Sequence, residues 1–188
     1  MFSTIRTSLT MLILMTIVTG MVYPGIVTGF AQLFFPDQAN GSLVREGEKV
    51  LGSELIGQSF DSPKYFWGRL SATAPQPYNA AASSGSNFGP LHLDLLANAK
   101  ARVAAVGGGT SSTVPIDLVT ASASGLDPHI SPAAAEYQVD RIAKARNLPV
   151  EQIESLVTNH IEHRTAGILG EPRVNVLKLN IDLDRMQK

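Results

Sequence analysis

The 188-residue chain sets 15 basic against 16 acidic residues, for a formal net charge of −1, and contains no cysteine. The lack of thiols excludes disulfides and thiolate metal sites, and the near-neutral balance excludes a protein built around a basic nucleic-acid patch. Less one apolar N-terminal segment, the length suits one compact domain.

No charged residue occurs from Thr7 to Phe35, and Leu9 to Met21 is apolar apart from three threonines and a glycine. A hydrocarbon core takes about 20 apolar helical residues to cross, so Leu9 to about Phe30 predicts a transmembrane helix. Arg6 precedes it and no Lys or Arg follows before Arg45, a bias that places the N-terminus in the cytoplasm. The predicted organisation is therefore a cytoplasmic N-terminus (1–8), a transmembrane helix with its exit segment (9–35), and a soluble α+β domain (36–188) on the extracytoplasmic, periplasmic side. Beyond Arg6, 14 basic residues meet 16 acidic ones, a net charge of −2. The competing reading is a cleaved secretory signal, whose apolar region runs about 7–15 residues to a small-x-small site. Here apolarity continues to Phe35, and only Gly29 and Ala31 resemble such a site. Tyr23-Pro24-Gly25 predicts a bend, and a proline within a span calls for neighbouring helices to satisfy the freed backbone groups. Gly20, Gly25, Thr16 and Thr19 would let such a helix approach closely.

After the span, Pro36 to Gly41 reads as a turn and Ser42 to Gln58 as a strand pair punctuated by Gly47, Gly52 and Gly57. Tyr65-Phe66-Trp67-Gly68-Arg69 is either a recognition surface, since aromatics and Arg favour interfaces, or a stretch with Tyr65 and Trp67 facing the core and Arg69 capping a loop. Ser83 to Gly89 has the composition of a loop whose amides could cradle an anion, without the lysine of a Walker loop. Pro90 to about Val106 predicts a helix with a stripe of Leu91, Leu95, Ala99 and Val103, ended by Gly107-Gly108-Gly109. Val114 to Thr120 predicts a strand. Ser122 to Pro132 is a polar loop feeding a helix from Pro132 to about Arg146, capped by Ser131, with Ala135, Val139, Ile142 and Ala143 buried. Asn147 stops it, and Pro149 opens a second helix with Val150, Ile153, Leu156, Val157 and Ile161 on one face, packed antiparallel to the first. Alternating Leu177, Leu179, Ile181 and Leu183 make Arg173 to Asp184 a half-buried strand, with a bulge near Val176 to reconcile the parity of Val174 and Val176.

Ser122, Ser124, Asp127 and His129 supply the residue types of a serine-hydrolase triad. Triads, however, assemble from separate places, and no Gly-x-Ser-x-Gly elbow is present, so the expectation is a hydrogen-bonded turn folded by Asp127-Pro128. His160 and His163 lie three apart but lack a third ligand nearby, which predicts a solvated face and no metal site. Arg173 is a candidate ion-pair partner for a carboxylate such as Asp127.

Phe66 to Arg69, Ser84 to Pro90 (SGSNFGP), Val119 to Ala135 (VTASASGLDPHISPAAA) and Gly170 to Asn180 (GEPRVNVLKLN) lie in this order behind one N-terminal span. Together they resemble KdpC, the C-subunit family of the Kdp potassium-transporting P-type ATPases of bacteria and archaea. The resemblance covers nearly the whole chain. It departs from the family pattern at Leu70, Ile161 and His163. It implies a non-catalytic accessory subunit in the cell inner membrane, in contact with lipid, with the channel-like A subunit, the ATP-hydrolysing B subunit and the small F subunit, and with potassium only through the complex. The family is credited with a catalytic-chaperone role that raises the B subunit's affinity for ATP. By analogy with the signature loop of ABC transporters, Ser122, Ser124, Gly125 and Asp127 are the candidate nucleotide loop; Trp67, Arg69, Asn87, His129 and Arg173 are candidate structural or interface residues. No cofactor of its own is expected, ATP entering through the B subunit. The charge bias places Ser122 across the membrane from cytoplasmic ATP, so any effect on ATP would be indirect, a bias on a two-state equilibrium, while the outer domain sits over the potassium entrance and stabilises the complex. The alternative is an independent membrane-tethered periplasmic enzyme or binding protein using the 122–129 loop.

Overall fold

The computed structural model describes residues 2–107 and 113–187, in two compact units, one up to Leu51 and one from Gly52 onward. Gly108 and Gly109 of the predicted helix stop lie outside the described residues.

The first unit is led by a helix apolar and long enough to cross a membrane, Phe2–Phe34, which starts ahead of the predicted Leu9. It comprises α1 (Phe2–Ile17), a π-turn (Val18–Val22) and α2 (Tyr23–Phe34). The π-turn answers the proline. Pro24 has no N–H and its ring crowds the carbonyl four residues back, and directly before it the Tyr23 amide reaches five residues back to the Val18 carbonyl. The irregularity expected at Tyr23-Pro24-Gly25 therefore sits one turn earlier. A short helix α3 (Pro36–Ala39) makes the predicted turn, and β1 (Leu43–Glu46) pairs with β2 (Lys49–Ser53) around Gly47, at φ +61°.

In the second unit α4 (Leu93–Ala105) realises the helix predicted after Pro90, starting three residues later because the His92 ring accepts from the Asp94 amide. Leu95, Ala99 and Val103 are its half-buried side, while Leu91 stands exposed before it. The strand predicted over Val114–Thr120 is instead a helical turn, α5 (Ile116–Val119): Pro115 precedes it, the Leu118 amide bonds the Pro115 carbonyl, and only Leu118 is buried. Extended pairing is confined to a parallel bridge between Leu70 and Ala121.

Next come β3 (His129–Ile130), α6 (Pro132–Glu136) and α7 (Val139–Arg146). Ser131 caps α6 through the Ala134 amide, and Ala135, Val139, Ile142 and Ala143 are buried, as predicted. The single helix expected there is broken at Gln138. Its amide bonds the Ala135 carbonyl, and its side chain donates to the Ala134 carbonyl that an unbroken helix would have occupied. Asn147, at φ +54°, closes α7 in the left-handed conformation. Pro149 precedes α8 (Val150–Asn159), whose Ile153 and Val157 are buried; Ile161 lies beyond it in β4 (Ile161–Glu162).

The C-terminal strand of the prediction ends after three residues. β5 (Arg173–Asn175) is followed at once by α9 (Val176–Arg185), capped by the Asn175 side chain on the Lys178 amide. Val176, Leu179, Asn180 and Leu183 are buried at helical spacing. The period-two alternation arose because Asn180, read as a wet position, is a buried polar group. β5 is central in an antiparallel sheet of order β3-β5-β4, pairing His129 with Asn175 and Ile161 with Val174. Phe66, Leu118, Ile142, Ile153, Val174, Leu179 and Leu183 form the core between this sheet and the helices.

Candidate functional site

The motif residues of the sequence meet where the Phe66–Ala72 segment runs beside the 121–129 loop. Two buried amides hold that segment. The Phe66 amide donates to Asn180 Oδ1 at 2.8 Å and its carbonyl accepts from Asn180 Nδ2 at 3.0 Å; the Trp67 amide donates to Gln138 Oε1 at 2.8 Å and its carbonyl accepts from Gln138 Nε2 at 3.2 Å. These side chains stand in for a neighbouring strand, satisfying backbone groups that burial would otherwise penalise. Trp67 is core rather than surface, with Arg141 and Arg102 stacked on it at 4.4 and 4.9 Å from the ring centroid. Burial, aided by the Arg102 charge, presses the Arg141 pKa down to about 10.

From this frame Arg69 reaches the loop. Its Nη1 meets Asp127 Oδ2 at 3.3 Å and its Nη2 donates to the Ala121 carbonyl at 3.2 Å. Asp127 folds the loop as expected, its Oδ1 accepting from the His129 amide at 3.0 Å with the imidazole 3.6 Å away. Burial opposes ionisation of Asp127, but the His129 side chain and amide and the Arg69 charge prevail and hold the carboxyl below its ordinary range. Tyr78 donates to the Arg69 carbonyl at 2.6 Å, and burial raises its pKa to about 12.

The candidate nucleotide loop is largely engaged with its own chain. The carbonyl of Ser124 accepts from the Ser84 amide and the Ser83 hydroxyl, that of Gly125 from the Ser71 hydroxyl, and that of Leu126 from the Gly57 amide. Ser124 Oγ accepts from the Leu126 amide, and the Gly125 amide donates to the Ser122 carbonyl. Ser122 is 3% exposed. Gly125, at φ +68°, is packed so closely that a Cβ there would lie 2.6 Å from Thr73 Cγ2 and 2.7 Å from the Ser84 oxygen. As to triad chemistry, Ser122 Oγ is buried without a hydrogen-bond partner and Ser124 Oγ serves the backbone, so neither hydroxyl is paired to His129.

Arg69, Asp127, His129 and Arg173 line one open hollow of about 630 Å³ together with Asp117 and Glu171. Arg173 does not pair with Asp127: its Nε meets Glu162 Oε2 at 2.9 Å across the β4–β5 ladder, where register sets Glu162 opposite Arg173. Asn87 stands apart, exposed at φ +51°. Among the described residues no group of three potential ligands could hold a metal. His163 is exposed, but His160 departs from the expected solvated face: its Nε2 lies 3.0 Å from Asp182 Oδ2 and its Nδ1 2.9 Å from the Leu156 carbonyl. Sequence reasoning missed Asn180, Gln138 and Tyr78; the only signal for the first two is a polar residue placed within an apolar helical stripe, and Tyr78, between Pro77 and Asn79, carries none.

The model of the KdpC family, "K+-transporting ATPase, c chain", matches residues 5–185. Curated relatives named potassium-transporting ATPase KdpC subunit are similar along their whole length. One from Burkholderia orbicola is 60% identical over 97% of this chain and 96% of its own; one from Herpetosiphon aurantiacus is 58% identical over 97% and 96%; one from Methylococcus capsulatus is 57% identical over 100% of both. A span-length apolar helix, a small mixed helix and sheet domain, and motifs gathered around Arg69 and Asp127 thus go with a match along nearly the full chain: it belongs to the KdpC family, the c chain of the K+-transporting ATPase.

Proposed function

We propose that this chain is the membrane-anchored, non-catalytic subunit of a potassium-uptake ATPase, with its N-terminus in the cytoplasm, its helix in the cell inner membrane and its 36–188 domain on the extracytoplasmic side. There it binds the channel-like A subunit and stabilises assembly with the ATP-hydrolysing B subunit and the small F subunit. The observation that carries this reading is the closure of the 122–127 loop: its three successive carbonyls and the Ser124 hydroxyl are taken up by Ser83, Ser84, Ser71, Gly57 and Leu126. Three of its amides are taken as well, that of Ser122 by the Leu70 carbonyl, that of Gly125 by the Ser122 carbonyl and that of Leu126 by Ser124 Oγ. A loop so engaged supports a structural corner rather than a nucleotide cradle, which presents free backbone donors. Any influence on ATP affinity then reaches the B subunit indirectly, as a shift between two states of the complex. The test is Ser124→Ala in the purified whole complex. The expected result is an unchanged KM for ATP, within twofold; a tenfold rise in KM with assembly intact would place the loop on the nucleotide and overturn the reading.

A further inference from the structure

A groove of about 690 Å³ lies between α4 and the Leu70–Ala121 bridge, a volume typical of binding sites. Leu95, Asn98, Ala101, Arg102 and Ala105 form its α4 wall at helical spacing, and no carboxylate is among its lining residues. Arg102 makes no ion pair among the described residues. Its Nε donates to the Leu118 carbonyl and its Nη2 to the Gly68 carbonyl, and no acceptor for Nη1 is present among the described residues. Burial lowers the pKa of this half-buried guanidinium, and Tyr78 and Asp61, the latter beyond ion-pair distance, offset that only in part, so a carboxylate brought into contact would relieve the remaining burial cost. Leu95, Phe88 and Val119 give the groove an apolar lining wider than a small anion would cover.

We propose that this groove receives an acidic segment of a partner protein, a carboxylate flanked by apolar side chains, with the carboxylate paired to Arg102 and the apolar side chains on Leu95, Phe88 and Val119. The proposal rests on the subunit reading above and names the surface through which assembly occurs.

The absence of cysteine allows Ala101→Cys to carry a benzophenone maleimide in the assembled complex. Illumination is expected to link it to a segment of another subunit containing Asp or Glu among apolar residues. Arg102→Gln, which keeps an amide donor for the two carbonyls but removes the charge, is expected to lower the yield at least tenfold. Ala105→Trp, which narrows the groove and removes no hydrogen bond, is expected to do the same. Far-ultraviolet circular dichroism and the thermal midpoint report whether each variant folds. Linkage to lipid, linkage to a segment without a carboxylate, an unchanged yield in both variants, or no linkage within an assembled complex would overturn the proposal and leave the subunit reading standing. An unmodified chain that joins no complex would overturn both.

Discussion

Asn180→Leu tests whether a buried amide on α9 holds the Phe66 backbone in place. Asn180 is 2% exposed and makes both bonds to Phe66, itself fully buried. Leucine keeps the branching at Cγ and favours the helix, so no cavity opens and propensity effects stay small. The loss comes from orphaning one N–H and one C=O, with overpacking by the larger methyl groups adding to it. At about 1–3 kcal/mol for each unsatisfied buried group, the expected destabilisation is about 2–6 kcal/mol. The assay is urea unfolding of the full chain in mild detergent, followed by the emission of Trp67, the next residue along the held segment. A loss below about 1 kcal/mol would refute the reasoning, because Phe66 would then have found other partners.

Gly125→Ala forces a side chain into the left-handed region and against the Ser84 oxygen, and is expected to cost about 2–4 kcal/mol in thermal unfolding, with assembly of the complex falling in parallel. The depressed pKa of Asp127 contributes stability that is present above the unfolded value of about 3.9 and is lost as pH falls through the lower folded value. Acid unfolding of wild type should therefore show a stability loss below about pH 4 that Asp127→Asn lacks; identical profiles would count against the Arg69–Asp127–His129 arrangement. Tyr78, raised to about 12, is stabilising in its neutral form, so stability should begin to fall as pH rises past the unfolded value of about 10. Ultraviolet titration should find one tyrosine ionising late, and Tyr78→Phe should remove it. Arg173→Ala breaks only a half-exposed pair with Glu162 and is expected to change stability by less than about 1 kcal/mol, whereas Asp127→Ala, which also unfastens the His129 turn, should lower assembly while leaving turnover per assembled complex intact.

The apolar span, the β1–β2 pair, the Ser131 cap and the Asn147 stop were legible because each rests on local chemistry: run length, glycine, a capping hydroxyl, a residue tolerant of positive φ. The errors fell where a buried polar side chain inverted the pattern. Asn180 turned a helical stripe into apparent alternation, and Gln138 split a helix whose apolar periodicity runs on unbroken. Val114–Thr120 carries β-branched residues, yet Pro115 and a single buried Leu118 settle it as a turn. For the site, Arg69, Asp127, His129 and Arg173 were picked out as chemistry-bearing types and do share one hollow, but pairing between Arg69 and Asp127 across 58 residues is tertiary information. Arg173 was given the wrong carboxylate because ladder register, which sets it opposite Glu162, cannot be read before the strands are known.

In the proposed topology the domain carrying the 122–127 loop lies across the membrane from cytoplasmic ATP. Ser84, exposed beside that loop, becomes a unique thiol as Ser84→Cys in a cysteine-free chain, open to a membrane-impermeant maleimide in intact cells. Labelling in intact cells is expected to equal that after lysis. Protection in cells with full labelling once the membrane is breached would place the domain in the cytoplasm and contradict that topology.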